Sequence, residues 1–152
     1  MNEIRRIMVA IDFSTIGSQL VRYAVDLARK IDAQVHLVNV INQRDIEALR
    51  RVAEATSAFS LPEQIETLRA DRLKGLKMLL ANSDIPAEGL GLHVETGVPY
   101  EGLINAIQAL EIDLLVMGTR GRGQFSGMLF GSTAARMLSK CPVPLLTLRE
   151  GD

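Results

Sequence analysis

Tryptophan is absent from the 152 residues, and there is one cysteine, Cys141, so no internal disulfide can form and a cysteine-rich zinc cluster is excluded. A single thiol fits a reducing compartment. Two Tyr and four Phe leave few side chains to stack on a flavin, which weighs against an electron carrier. There is no excess of charge of either sign: the formal net charge is −1, so nothing marks nucleic acid as a main partner. No apolar run is long enough to span a bilayer. The opening "MNEIRRIMVAIDFS" has a short apolar run ended by Asp12 and no small-residue cleavage site, so it is not read as a signal peptide, and the cytoplasm is the expected location. What remains is an ordinary globular composition, 47% hydrophobic and 23% charged, in a chain of the length of one domain, 1–152.

Four apolar runs stand out: Ile7–Ile11, Val35–Ile41, Leu114–Met117 and Val143–Leu148. The first, third and fourth are nearly continuous, which predicts strands buried on both faces of a parallel sheet. Leu90–Glu95 alternates instead and suits an edge strand. Helical spacing lies between the runs. Ile16, Leu20, Tyr23, Leu27 and Ile31 form one stripe, with Ser14 placed as its N-cap. Ile65, Leu68, Leu76 and Leu79 follow Pro62; Leu103, Ile107 and Leu110 follow Pro99; Ser132 is placed to cap a short helix through Ser139. The alternation predicts an α/β fold with five parallel strands and right-handed crossovers. Asn42–Ser60 exceeds what that plan needs and reads as an extra helix around Ile46, Leu49 and Val52, or as a cover.

The stretch "GTRGRGQFSGMLFGSTAARM", Gly118–Met137, carries most of the functional signal. Glycine reaches positive φ without steric cost, so such a loop can turn backbone N–H groups inward. Ser132 and Thr133 then fall at a helix N-terminus, where free N–H groups favour anions. One exposed dipole contributes only about 0.3–1 kcal/mol. Micromolar binding needs about 8 kcal/mol, so several hydrogen bonds and a buried base must supply the rest. An isolated glycine-rich loop is more often a plain turn. This one leaves a strand and enters a helix, and in open α/β sheets ligands bind beyond the carboxyl ends of the strands. The first strand ends there too, at Asp12.

Neither G-x-x-x-x-G-K-[ST] nor G-x-G-x-x-G occurs. The pattern present is Gly118, two residues, Gly121, nine residues, then Gly131–Ser132. With "IMVAIDFS", "VHLVNVI", "HVETGVP", "IDLLVMGTRGRG" and "GSTAARMLSKCPVPLLTLR", it resembles the ATP-binding branch of the universal stress protein family over nearly the whole chain. That resemblance implies a Rossmann-like open five-stranded parallel sheet, order 3-2-1-4-5, with helices on both faces. It implies adenine held by Ala10, Ile11, Asp12 and Val40, with Asp12 also near ribose or a metal-bound phosphate. Gly118, Gly121, Gly131, Ser132 and Thr133 would hold ribose and phosphates. Arg120 matches a variable position, and its charge is our addition. The expected ligand is ATP, or AMP or ADP, with Mg²⁺ or Mn²⁺ bridging phosphates, and Asn42–Ser60 partly covering it.

The resemblance also implies a homodimer through the last strand, Val143–Leu148, where Pro144 independently suits an edge. No residue pair offers a general base with an orienting group, so slow or no hydrolysis is expected and ATP would be a regulatory ligand in stress response or signalling, read by a protein partner. The competing classes are a weak ATPase, a nucleotide-free homodimeric interaction module, and an enzyme of similar architecture. For the last, "DFSTIGSQ" supplies neither an SGG-type loop nor a HIGH-type motif, and no acidic cluster marks a receiver domain. His36 and His93, far apart in sequence, read as packing or surface residues rather than a catalytic pair. Cys141 reads as a buried or inert thiol.

Overall fold

The structure, a computed structural model, describes residues 2–57, 60–120 and 130–151. Five strands form one parallel sheet: β1 (Arg6–Ala10), β2 (Gln34–Asn42), β3 (Gly91–Gly97), β4 (Leu114–Gly118) and β5 (Leu145–Leu148), in the order β3-β2-β1-β4-β5. The helices are α1 (Gly17–Ile31), α2 (Gln43–Ala55), α3 (Leu61–Asn82), α4 (Pro99–Ala109) and α5 (Ser132–Lys140). The central strands are apolar at most positions because both faces are covered, with His36 and Asn39 of β2 the interior exceptions. Ile7, Val9, Val35, Leu37, Leu114 and Val116 join the core under α1 and α3. Met8, Val38, Leu115 and Met117 join the core under α4 and α5. Each such side chain contributes about 1.5–3 kcal/mol on burial. The alternating strand β3 lies at an edge, as its pattern predicts, and so does β5.

Several local expectations need correction. The buried face of α1 is Leu20, Val21, Ala24, Val25 and Ala28, so Tyr23 and Ile31 on the expected stripe face solvent, at 45% and 39% exposure. The small alanines win because they let the helix lie close to the sheet. Ser14 does not cap α1: Ile16 is the N-cap residue, and the Ser14 carbonyl instead accepts from Gly17 N–H at 3.1 Å in the turn before it. Ser132 is the first residue of α5, with Gly131 at the cap position. The strand expected over Val143–Leu148 begins at Leu145, because Pro142 and Pro144 lack the N–H that a ladder needs. The extra helix is present as α2, capped by Asn42 Oδ1 accepting from Arg44 N–H at 3.0 Å, but none of its side chains is fully buried.

His36 and His93 lie far apart in the chain but meet across β2 and β3, with Nδ1 of His36 3.0 Å from Nε2 of His93. One imidazole donates to the other, over Gly91, where a methyl group would strike the His36 ring. They sit toward the amino end of β2, away from the carboxyl ends of the strands. Burial is the main cause that lowers both imidazoles below their ordinary value; for His36, the His93 and Arg6 charges add to it, and for His93, Glu95 opposes it. The unfolded chain therefore binds these protons more readily than the folded one. Their contribution to stability is intact above about pH 6.5, the unfolded value, and is lost as pH falls through the folded values. Replacing His36 with Gln should flatten the acid side of a melting-temperature profile below about pH 6.5. A variant profile that falls as steeply as that of the parent would contradict this.

Candidate nucleotide-binding cleft

Parallel strands end together, and here β1 and β4 are neighbours whose chains depart toward opposite faces of the sheet. The gap left between them is a cleft of about 870 Å³, within the range that holds small ligands. Its floor is the end of β1. Ile11 N–H donates to Val38 C=O at 2.9 Å, and the Ile11 carbonyl accepts from Asn39 Nδ2 at 2.8 Å. Asp12 stands exposed on the cleft, with Oδ1 accepting from Ser14 N–H at 3.0 Å. Ser14 Oγ is buried in the cleft lining and has no hydrogen-bond partner among the described residues, which suits a site built for a polar ligand.

The opposite wall comes from the β4–α5 connection. Gly118 ends β4, and a methyl there would come within 3.2 Å of Ile16 Cγ2, so glycine lets this strand end lie close to α1. Thr119 N–H donates to Leu148 C=O at 3.1 Å, and Gly131 N–H donates to Thr119 C=O at 2.7 Å. These two bonds bring the ends of the connection together and set α5 against the tip of β4. The first bond of α5 runs from Ala135 N–H to Gly131 C=O at 2.9 Å. The N–H groups of Ser132, Thr133 and Ala134 precede it and project from the helix start, and all three residues line the cleft.

Ala10, Ile11, Asp12, Val40, Gly118, Arg120, Gly131, Ser132 and Thr133 thus border one cavity. Gly121, the remaining expected site residue, lies outside the described residues. Val40 reaches the cleft from β2, and Gly102 lets α4 pack against it, since a methyl at Gly102 would lie 2.8 Å from Val40 Cγ1. Beyond Ser132, Thr133 and the cover expected from Asn42–Ser60, sequence reasoning missed the individual side chains that the helices contribute. Arg44 and Asp45 come from the first turn of α2, Arg72 from α3, Tyr100 and Glu101 from α4, and Arg136 from α5. Arg136 and Lys140 both lie over the Tyr100 ring, 4.8 and 4.9 Å from its centroid. Asn39, only 2% exposed, was detectable as the one amide inside an apolar strand run. Among the described residues, four arginines against Asp12, Asp45 and Glu101 give the cleft a cationic bias in a chain of net charge −1. No group of three or more His, Cys, Asp or Glu is placed to hold a metal among the described residues. Cys141 is half-buried outside the cleft, and burial raises its thiol pKa, which disfavours the reactive thiolate.

Comparison with known proteins agrees with this architecture. The chain is 24% identical to a universal stress protein of Methanocaldococcus jannaschii, MJ0531, over 98% of its length and 84% of that protein. It is 30% identical to the universal stress protein YxiE of Bacillus subtilis, over 91% of this chain and 95% of that one. Among solved structures, the hypothetical protein MJ0577 superposes with a TM-score of 0.78 at 17% identity, covering 99% of both chains. A universal stress protein in complex with cAMP superposes at 0.63 and 16% identity, over 97% of this chain and 98% of that one. The universal stress protein family model matches residues 3–149, and this chain belongs to that family.

Proposed function

We propose that this chain binds an adenine nucleotide, ATP foremost, in the cleft between the β1 and β4 ends, and that the nucleotide acts as a regulatory ligand in a cytoplasmic stress or signalling response. The observation that carries the reading is one juxtaposition. The tip of β1, Ala10–Asp12, faces the start of α5, Gly131–Thr133, across a cleft wide enough for a base at one end and phosphates at the other. The base would lie against Ala10, Ile11 and Val40, and Ile11 C=O, already accepting from Asn39, keeps a second lone pair for it. Gly118, Gly121, Gly131, Ser132 and Thr133 would hold ribose and phosphates, and Arg120 and Arg136 would add charge. The α2 helix supplies a partial cover through Arg44 and Asp45. That a related protein was solved with cAMP supports an adenine nucleotide as the ligand class.

Mg²⁺ or Mn²⁺ would enter with the phosphates, with Asp12 as the carboxylate nearest to hand. The ion would neutralise phosphate charge. No histidine reaches the cleft lining to serve as a general base, because the two histidines pair elsewhere. Turnover, if measured, is expected to be slow. Titration calorimetry with ATP and AMP, with and without Mg²⁺, tests the reading: saturable heat at one site per chain supports it, and none with either nucleotide refutes it.

A nucleotide-free or nucleotide-regulated homodimer is the second reading, carried by the open β5 edge. Pro144 and Leu148 turn their carbonyls toward β4, so by alternation Leu145 and Thr147 turn theirs outward. Thr147→Pro removes an outward N–H while leaving the β4 ladder intact. We expect this variant to keep its circular dichroism and to scatter light as a monomer. A dimer that persists would rule out this edge as the interface.

A further inference from the structure

Two locally unfavourable choices meet beside the cleft. Phe13 follows Asp12 and has φ 62°, the left-handed region that a bulky residue rarely enters. Gly75 stands in the interior of α3, where only proline is less favoured. They are in contact: a methyl at Gly75 would lie 2.9 Å from Cε1 and 3.1 Å from Cζ of Phe13. The missing side chain on α3 is what admits the ring, and the seated ring holds the turn left-handed. Arg72, one turn back on α3, has its guanidinium carbon 6.0 Å from the ring centroid. The same guanidinium lies 3.4 Å from Asn39 Oδ1 and 3.9 Å from the Asp45 carboxylate on α2. Asn39 in turn donates to the Ile11 carbonyl. The backbone on both sides of Asp12 is therefore fixed from one helix, Ile11 through Asn39 and Arg72, Phe13 through Gly75.

Core filling alone does not require this arrangement. A glycine at 13 with a larger aliphatic residue at 75 would fill similar space and avoid both costs. Strain that persists at a cleft, held by surrounding packing, is the signature of pre-organisation. We propose that Phe13, seated on Gly75, is a positioning residue for the nucleotide: it locks the Asp12–Ser14 turn so that Asp12 and the Ile11 carbonyl are presented to the cleft before ligand arrives. This rests on the nucleotide reading above.

The test compares ATP–Mg²⁺ affinity for the parent chain, Gly75→Ala, Phe13→Ala and the double variant, with thermal melting of each. Gly75→Ala should weaken binding about tenfold, an order reached by losing one well-placed hydrogen bond. It should do so without a matching loss of melting temperature, since alanine favours the helix. Phe13→Ala should weaken binding similarly. The double variant should bind no worse than Phe13→Ala, because the three atoms nearest the new methyl all belong to the ring that is gone. Parent-like affinity in Gly75→Ala, or losses that multiply in the double variant, would overturn the proposal. Should Gly75→Ala fail to fold, Phe13→Ala decides: parent-like affinity there overturns it equally. A parent chain that takes up no nucleotide overturns both readings, whereas binding that ignores Gly75 and Phe13 overturns this one alone.

Discussion

Gly131→Val is expected to lower nucleotide affinity at least about 100-fold while leaving a folded protein. Gly131 has φ −71° and ψ 167°, an extended conformation that valine adopts without strain. Its carbonyl accepts the first α5 hydrogen bond and its N–H is tied to Thr119, and neither bond needs the residue to be glycine. Valine is a poor N-cap, so stability should drop by about 1 kcal/mol, or about 2–4 °C in melting temperature for a chain of this size. The large effect falls on binding. Two methyl groups at the start of α5 would hold an anion away from the N–H groups of Ser132 and Thr133. Hydrogen bonds to a charged group contribute about 1.5–3 kcal/mol each, so losing two accounts for the expected factor. Calorimetric titration beside a thermal melt separates the two effects. A variant that binds as the parent does would remove the α5 N-terminus from the site.

Asn39→Ala should produce the second large effect, in stability first and affinity with it. Asn39 is almost fully buried and ties β2 to the β1 tip through Ile11. Without it, the carbonyl of a residue that is itself only 3% exposed loses its amide donor. A buried polar group left unpaired costs about 1–3 kcal/mol, or about 2–12 °C here. The Arg72 guanidinium loses its Asn39 contact as well. Because Ile11 is where the base would rest, nucleotide affinity should fall with stability, by about tenfold. Denaturant unfolding and titration of the same preparation check both. Unchanged affinity in a destabilised variant would mean that the β1 tip is not a binding surface.

The strands were legible because burial on two faces leaves an unmistakable mark: Ile7–Ile11 and Leu114–Met117 contain almost nothing polar, and the structure puts alternate residues of each into opposite cores. The edge position of β3 was legible for the converse reason, since only one of its faces needed to be apolar. The strand order was carried by family resemblance. The face of α1 was misread because Ile16, Leu20, Tyr23, Leu27 and Ile31 form as regular a stripe as the buried set. Periodicity cannot weigh a tyrosine against an alanine when the helix must sit close to a sheet. The histidine pair was illegible for a different reason. Its two members become neighbours only when β2 and β3 pair with His36 beside Gly91, and nothing local specifies that register.

The cleft divides the same way. Asp12 and Gly118 could be placed because an open α/β sheet binds ligands where its strands stop, whereas Ala10, Ile11 and Val40 were carried by the family resemblance. Arg72, Tyr100 and Arg136 could not be placed, because their positions depend on how each helix is packed and rotated. Phe13 illustrates the limit most clearly. In sequence it is an ordinary aromatic after an aspartate, and neither its left-handed backbone nor its seat on a glycine of α3, 62 residues away, is written locally.

The most direct test of the central claim is a crystal structure of the full chain grown with excess ATP and Mg²⁺. A purine should lie against Ala10–Asp12 and Val40, with phosphate oxygens at the N–H groups of Ser132 and Thr133. Nucleotide bound elsewhere, or a cleft closed by its own side chains in the presence of saturating ligand, would contradict it.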